Sequence, residues 1–274
     1  MPLNLARALA NAHRFVWQHR QDLFAYAFLP VVVLGLLETL AIGASGDWRT
    51  MFEPVVISSE DPEAAQAALR IGLTHLIRVV ALAFAYVLFA IPWYRKQLVG
   101  DAGKKIGTLL RWSPLHWRFI GSSLVLILIM GAAMMVLSIP LKALAGANPM
   151  AGLVAQTMLL VFVGLAGARV LLIFPALAIG APLTPRQSLE LTRGRGWMLF
   201  AIAVLPLLAS VMLSLIMANV IALVLVPVIG TSISLVLVTV LVIDALSFIG
   251  FAIQISALGY VYQQLAQSGT SRSA

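Results

Sequence analysis

Six apolar runs, near residues 23–44, 70–92, 119–139, 151–175, 197–227 and 231–260, constrain this chain more than any other feature. Crossing a hydrocarbon core takes about 20 helical residues, and each run supplies that length. A backbone in lipid must satisfy its own N–H and C=O groups, so such runs fold as helices. Apolar residues make up 61% of the 274 residues and charged residues only 10%, too little polar surface for a soluble domain. The expectation is an all-α polytopic membrane protein, a single membrane domain over 1–274 with six transmembrane helices. The last two runs exceed the minimum and are expected to tilt, to kink at Pro206 or to project past the bilayer.

Charge orients the runs. Segments 1–22, 93–118, 180–196 and 261–274 carry 13 Lys/Arg against 3 acids, Asp22, Asp101 and Glu190. The alternate segments carry Arg49, Arg70 and Lys142 against Asp47, Glu53, Glu60, Asp61 and Glu63. The positive-inside rule then places both termini in the cytoplasm. The first 22 residues hold Arg7, Arg14 and Arg20 with no apolar core between them, so no cleavable signal peptide is expected. The net charge of +8 sits beside the apolar runs, where it meets lipid headgroups, and no nucleic-acid partner is expected. The absence of cysteine excludes disulfides, thiolate metal sites and cysteine nucleophiles.

The basic segments show helical spacing. Leu5, Leu9, Ala12 and Val16 recur on one face of 3–21, with Arg7, His13 and Arg14 elsewhere around it. Residues 95–112 combine basic residues with Leu98, Ile106, Leu109 and Leu110. In 184–194, Thr184 suits an N-cap and Pro185 the first helical position. Each segment leads into aromatic residues at a span start: Trp17 with Phe24, Trp117 with Phe119, Trp197 with Phe200. Short amphipathic helices on the inner interface fit this pattern, as do connecting loops with interfacial anchors. The alternation also suggests a threefold repeat over 1–92, 93–180 and 181–262, with Pro92 and Pro175 closing the inward spans of the first two units. Ahead of the second span, Ser59 or Asp61 can cap a short outer helix with Pro62 in its first turn.

An ionisable group at mid-bilayer costs roughly 2.5–3.5 kcal/mol on insertion scales, so each needs a partner or a wet cavity. Glu38 and Arg78 lie at comparable depth on sequential spans and are expected to form an ion pair, with His75 one turn further out. That pair either fixes helix register or faces a substrate or proton path. Asp244 lies mid-span without an obvious partner, leaving Ser247, Gln254 or a neighbouring helix to satisfy it. Arg169 lies in the inner part of the fourth span, offset from Asp244, and could snorkel to the headgroups. Gly164 with Ala168, and Ala252 with Ser256, suit close helix packing.

Catalytic signatures are missing. Only His75 falls within a span, too few for a haem, and there is no P-loop, HExxH or GxSxG. No enzyme activity and no cofactor are expected. The stretch RVLLIFPALAIGAPLTPRQSLELTRGRGW, residues 169–197, resembles a bacterial membrane family that includes the membrane domain of some glycerophosphodiester phosphodiesterases. Arg169, Pro175, Ser188, Leu191, Thr192 and Gly194 follow that family's order. The acid it often shows after the proline is replaced here by Ala178, Ile179 and Gly180. The resemblance implies a bacterial inner-membrane protein concerned with lipid or envelope homeostasis, and no phosphodiesterase domain accompanies it.

The expected function is that of a scaffold, accessory subunit or lipid-interacting element. Arg95, Lys96, Lys104, Lys105, Arg111, Arg193 and Arg195 would contact anionic lipid, and a membrane-protein partner or a second copy are further candidates. The alternative is a small transporter or channel using Glu38, Arg78 and Asp244, with Arg169 as the fourth charge within the membrane. An intramembrane enzyme acting on lipid would rest on Asp244 alone.

Overall fold

A computed structural model describes residues 4–45, 62–100, 112–229 and 232–270. These residues form nine helices and no strand: α1 (Leu5–Gln18), α2 (Arg20–Ser45), α3 (Pro62–Val99), α4 (Pro114–Ala147), α5 (Pro149–Val170), α6 (Ile173–Ala178), α7 (Pro185–Leu191), α8 (Gly196–Ile229) and α9 (Ile233–Thr270). Among the described residues, six stretches are long and apolar enough to cross a membrane: Arg20–Gly43, Leu76–Val99, Pro114–Leu141, Met150–Ala178, Gly196–Val224 and Ile233–Ala266. The protein is a multi-pass, all-helical membrane protein.

The outward surface agrees with that solvent. Leu124, Val125, Ile127, Leu128, Met135, Val136 and Ile139 of α4 are all exposed, and no residue of its most apolar stretch is buried. An apolar patch of this extent is unstable in water but is the ordinary surface of a helix facing lipid. Lipid gives no hydrophobic drive between helices, so packing and polar contacts must hold the bundle together.

Helix α9 is the hub, packing against α1, α2, α3, α6 and α8. Small residues let the others approach it. A Cβ at Gly43 would lie 2.7 Å from Ile233, and one at Gly35 would lie 2.6 Å from Leu241. The two glycines and the two α9 residues share the same eight-residue spacing, so α2 and α9 run antiparallel in register over two turns. Thr39, between the glycines, is buried and returns its hydroxyl hydrogen to Gly35 O at 2.7 Å. Gly164 is closed upon by Phe200 at 2.6 Å from where a Cβ would sit, and Ala168, Ala252 and Ser256 are buried, as their spacing suggested.

Aromatic residues fill the core near one end. Trp93 stacks on Phe89 (centroids 5.6 Å apart) and meets Phe15 and Tyr26 edge-on, while Phe248 meets Phe89 edge-on at 5.3 Å. The Trp93 indole N–H donates to Ser256 Oγ at 2.9 Å and to Ala252 O at 3.3 Å, fixing α3 to α9.

Several expected boundaries move for packing reasons. Pro92 does not close its span: α3 runs on to Val99, because Trp93 and Tyr94 are wholly buried in the bundle. Residues 95–99 therefore belong to α3, and the rest of the expected basic helix, 101–111, lies outside the described residues. Pro62 begins α3 itself rather than a separate outer helix; Ser59 and Asp61 lie outside the described residues. Pro206 is passed within α8, which continues to Ile229. Helix α9 extends beyond 260 because Val261 and Leu265 are buried in the same core as Ala8, Ala12 and Val16 of α1. Phe119 is core rather than interfacial, in contact with Phe174 at 4.9 Å. The hairpins α2–α3, α4–α5 and α8–α9 each pack together, which sequential connectivity alone produces, with or without a repeat.

Candidate functional site

Helix α1 starts on Asn4, whose Oδ1 accepts from Ala6 N at 2.9 Å. Its Ala8, Ala12 and Val16 are buried, while Arg7, His13 and Arg14 are exposed. The amphipathic stripe read from the sequence thus exists, but its apolar side is taken up by the bundle. Helix α7 starts on a capping box: Thr184 Oγ1 accepts from Gln187 N at 3.2 Å and Gln187 Oε1 accepts from Thr184 N at 2.8 Å, with Pro185 first in the helix.

Contacts show that α1, α7, the starts of α2, α4 and α8 and the ends of α3, α5, α6 and α9 share one end of the bundle. Lys96 pairs with Asp22 at 3.2 Å, Trp93 reaches Ser256, Phe119 meets Phe174, and Arg169 meets Gly196. At this end Arg7, Arg14, Arg20, Arg95, Arg118, Arg186 and Arg193 are exposed. Trp17, Trp117 and Trp197 are also exposed there, and Arg20 lies 5.4 Å over the Trp17 ring. Arg195 is half-buried; Lys96 is taken by Asp22, and Arg186 shares its charge with Glu190 at 3.0 Å. Lys104, Lys105 and Arg111 lie outside the described residues.

Arg169 sits at this end, with its guanidinium turned to α7. Its Nη2 donates to Leu189 O at 2.7 Å and its Nε to Thr192 Oγ1 at 3.4 Å. Ser188 Oγ donates back to Arg169 O at 2.7 Å. The guanidinium satisfies a carbonyl in the last turn of α7, which a helix end otherwise leaves open. Gly194, at φ +75°, turns the chain from α7 into α8 through the left-handed region that a side chain resists. Arg169, Ser188, Thr192 and Gly194 of the 169–197 stretch therefore meet in one joint.

A second polar cluster lies within the membrane span. Arg78 Nε approaches Glu38 Oε1 to 3.1 Å, as expected from their depths. The contact is charge against charge rather than a well-aligned hydrogen bond. Glu38 is 5% exposed, Arg78 47%. Asp244 lies against the same helix: its Oδ2 would lie 3.7 Å from a Cβ at Gly35, one turn before Glu38. Asp244 is 3% exposed and its Oδ2 has no hydrogen-bond donor. Its expected partners are engaged elsewhere: Ser247 Oγ donates to Ile243 O, and Gln254 Nε2 donates to Ala203 O on α8. The His75 side chain lies outside the described residues.

Sequence reading found the Glu38–Arg78 pair but left Asp244 isolated. The signal that could have joined them is Gly35-x3-Thr39-x3-Gly43, a small-residue ridge that brings α9 onto the Glu38 helix. Comparison with protein-family models, with curated proteins and with solved structures found no match.

Proposed function

We propose that this multi-pass protein is a lipid-interacting element of a bacterial inner membrane, a scaffold or accessory subunit without catalytic apparatus, its basic end facing the cytoplasm. The observation that carries this reading is the ring of exposed arginines and tryptophans at one end of the bundle. Anionic headgroups attract each basic residue near the surface by about 1 kcal/mol, and tryptophan favours headgroup depth. The resemblance over 169–197 points the same way. The test places the protein in nanodiscs of mixed phosphatidylglycerol and phosphatidylcholine and counts retained lipids by native mass spectrometry. Glu at Arg14, Arg95 and Arg193 together should abolish the preference for phosphatidylglycerol; an unchanged preference defeats the proposal.

One observation favours a second reading, a small transporter: the buried Asp244 with an unpartnered oxygen beside the Glu38–Arg78 pair. Ionisable groups in such positions mark proton and ion paths. Proteoliposomes carrying an internal pH-sensitive dye should then show a proton leak that Asp244→Asn abolishes at unchanged yield of folded protein. Identical traces for both proteins, or empty liposomes, dispose of this reading.

A further inference from the structure

Helix α9 contains a single charged side chain, Asp244. It stands about 17 Å along the helix from Ile233, near mid-depth of a hydrocarbon core about 30 Å thick. Asp244 is 3% exposed, and its Oδ2 accepts no hydrogen bond. Among the described residues the ion pairs are Arg78–Glu38, Lys96–Asp22 and Arg186–Glu190, and none takes in Asp244.

The helices packed on this part of α9 offer it neither a donor nor a counter-charge. On α2, Thr39 donates to Gly35 O, and Glu38 brings only a second acid one turn further on. On α3, Arg78 gives its Nε to Glu38, and the His75 side chain lies outside the described residues. Helix α8 has no acidic, basic or histidine residue from Gly196 to Ile229. Its Ser210 donates to Pro206 O, and Ser214 Oγ is itself without a partner. Within α9, Thr239 donates to Leu235 O and Ser247 to Ile243 O. Neither the groove between α2 and α3 nor the one between α3 and α4 reaches Asp244, and Leu241 closes on Gly35 beside it. A carboxylate stripped of water, donors and counter-ion is too costly to keep its charge in such surroundings, and it takes up a proton instead.

We propose that Asp244 is a proton-binding site: a neutral carboxylic acid in the resting protein, with the proton as the ion that this site takes up and gives back. Arg78 supplies the counter-charge of Glu38 and no group supplies one for Asp244, which sets the two carboxyl groups apart. The acid faces α2 across the Gly35 seam. Its way to water runs along α2 away from the basic end, where Glu38 follows one turn on and Arg78 is 47% exposed. This deepens the transporter reading by naming its ion, and rests on that reading for any part in flux.

The experiment reconstitutes the full chain, carrying aspartate labelled with ¹³C at the side-chain carboxyl, and records infrared spectra at neutral pH. An aspartate in water, with a pKa of about 3.9, is ionised there. One C=O stretch of a protonated carboxyl is expected, shifted by the label and absent from Asp244→Asn. The other aspartates, Asp22, Asp47, Asp61 and Asp101, lie outside the apolar runs and should give carboxylate bands alone. Asp244→Glu should keep a protonated band that the label no longer shifts. Raising the pH should remove the band and release one proton per chain more than Asp244→Asn does. Because the label reports on the unaltered chain, the assignment stands whether or not Asp244→Asn folds. Labelled aspartate that shows carboxylate bands only overturns the proposal, as does a protonated band that the label leaves in place. Carboxylate bands that respond to sodium chloride but not to choline chloride overturn it in favour of a metal cation. A protonated Asp244 in liposomes without a proton leak upholds the proposal and removes the transporter reading; a leak without the protonated band does the reverse.

Discussion

Replacing Arg78 by leucine removes the guanidinium that faces Glu38 and leaves that buried carboxyl group without it. At 3.1 Å and an effective dielectric of about 20, the Coulomb attraction of the pair is about 5 kcal/mol. Arg78 is 47% exposed, so solvation and headgroup contacts compete for its charge, and a net coupling of about 2 kcal/mol is expected. Glu38 is 5% exposed and has no such outlet. Arg78→Leu should therefore cost about 3 kcal/mol, the lower end for a broken buried pair. Glu38→Gln should cost about 1 kcal/mol, since it leaves only a half-exposed arginine without its partner. The double variant should cost about 2 kcal/mol, the two single costs less the coupling. Reversible unfolding in mixed micelles of dodecyl sulfate and a non-ionic detergent, followed by circular dichroism, gives all four corners of the cycle. A coupling below about 0.5 kcal/mol would show that the pair has no structural weight and refute the reasoning.

Other positions give independent tests. A Cβ at Gly250 would collide with Ser210 and lie 3.1 Å from Pro206 O, so Gly250→Ala should cost about 1–3 kcal/mol in the same assay, with partial recovery when Ser210→Gly is added. Trp93→Phe removes the donor to Ser256 and Ala252 and should cost about 1–3 kcal/mol, while Phe89→Leu leaves that hydrogen bond intact. Arg169→Ala undocks α7, so hydrogen exchange over 184–195 should accelerate at least tenfold with little change in α9; uniform protection would contradict the joint. The chain has no cysteine, which makes single-cysteine mapping clean. Gln18→Cys, on the exposed side of α1, should react with an impermeant maleimide only after the inner membrane is opened, and labelling of intact spheroplasts would reverse the orientation.

Periodicity and composition were enough to read all six spans, because a helix in lipid needs only length and apolarity, both local properties of the chain. The Thr184 cap and the Glu38–Arg78 pair were legible for the same reason: one depends on neighbours three residues apart, the other on depth along two consecutive spans. The end of α3 was misplaced at Pro92 because Trp93 is held by α9, more than 150 residues away. Arg169 looked like a free charge until α7 folded back upon it, and Asp244 looked isolated until Gly35 and Gly43 let α2 close against α9. Local chemistry decides which segments become helices and what solvent they meet. Which faces touch, and hence which polar atoms are left wanting a partner, depends on side-chain shapes meeting across helices distant in sequence.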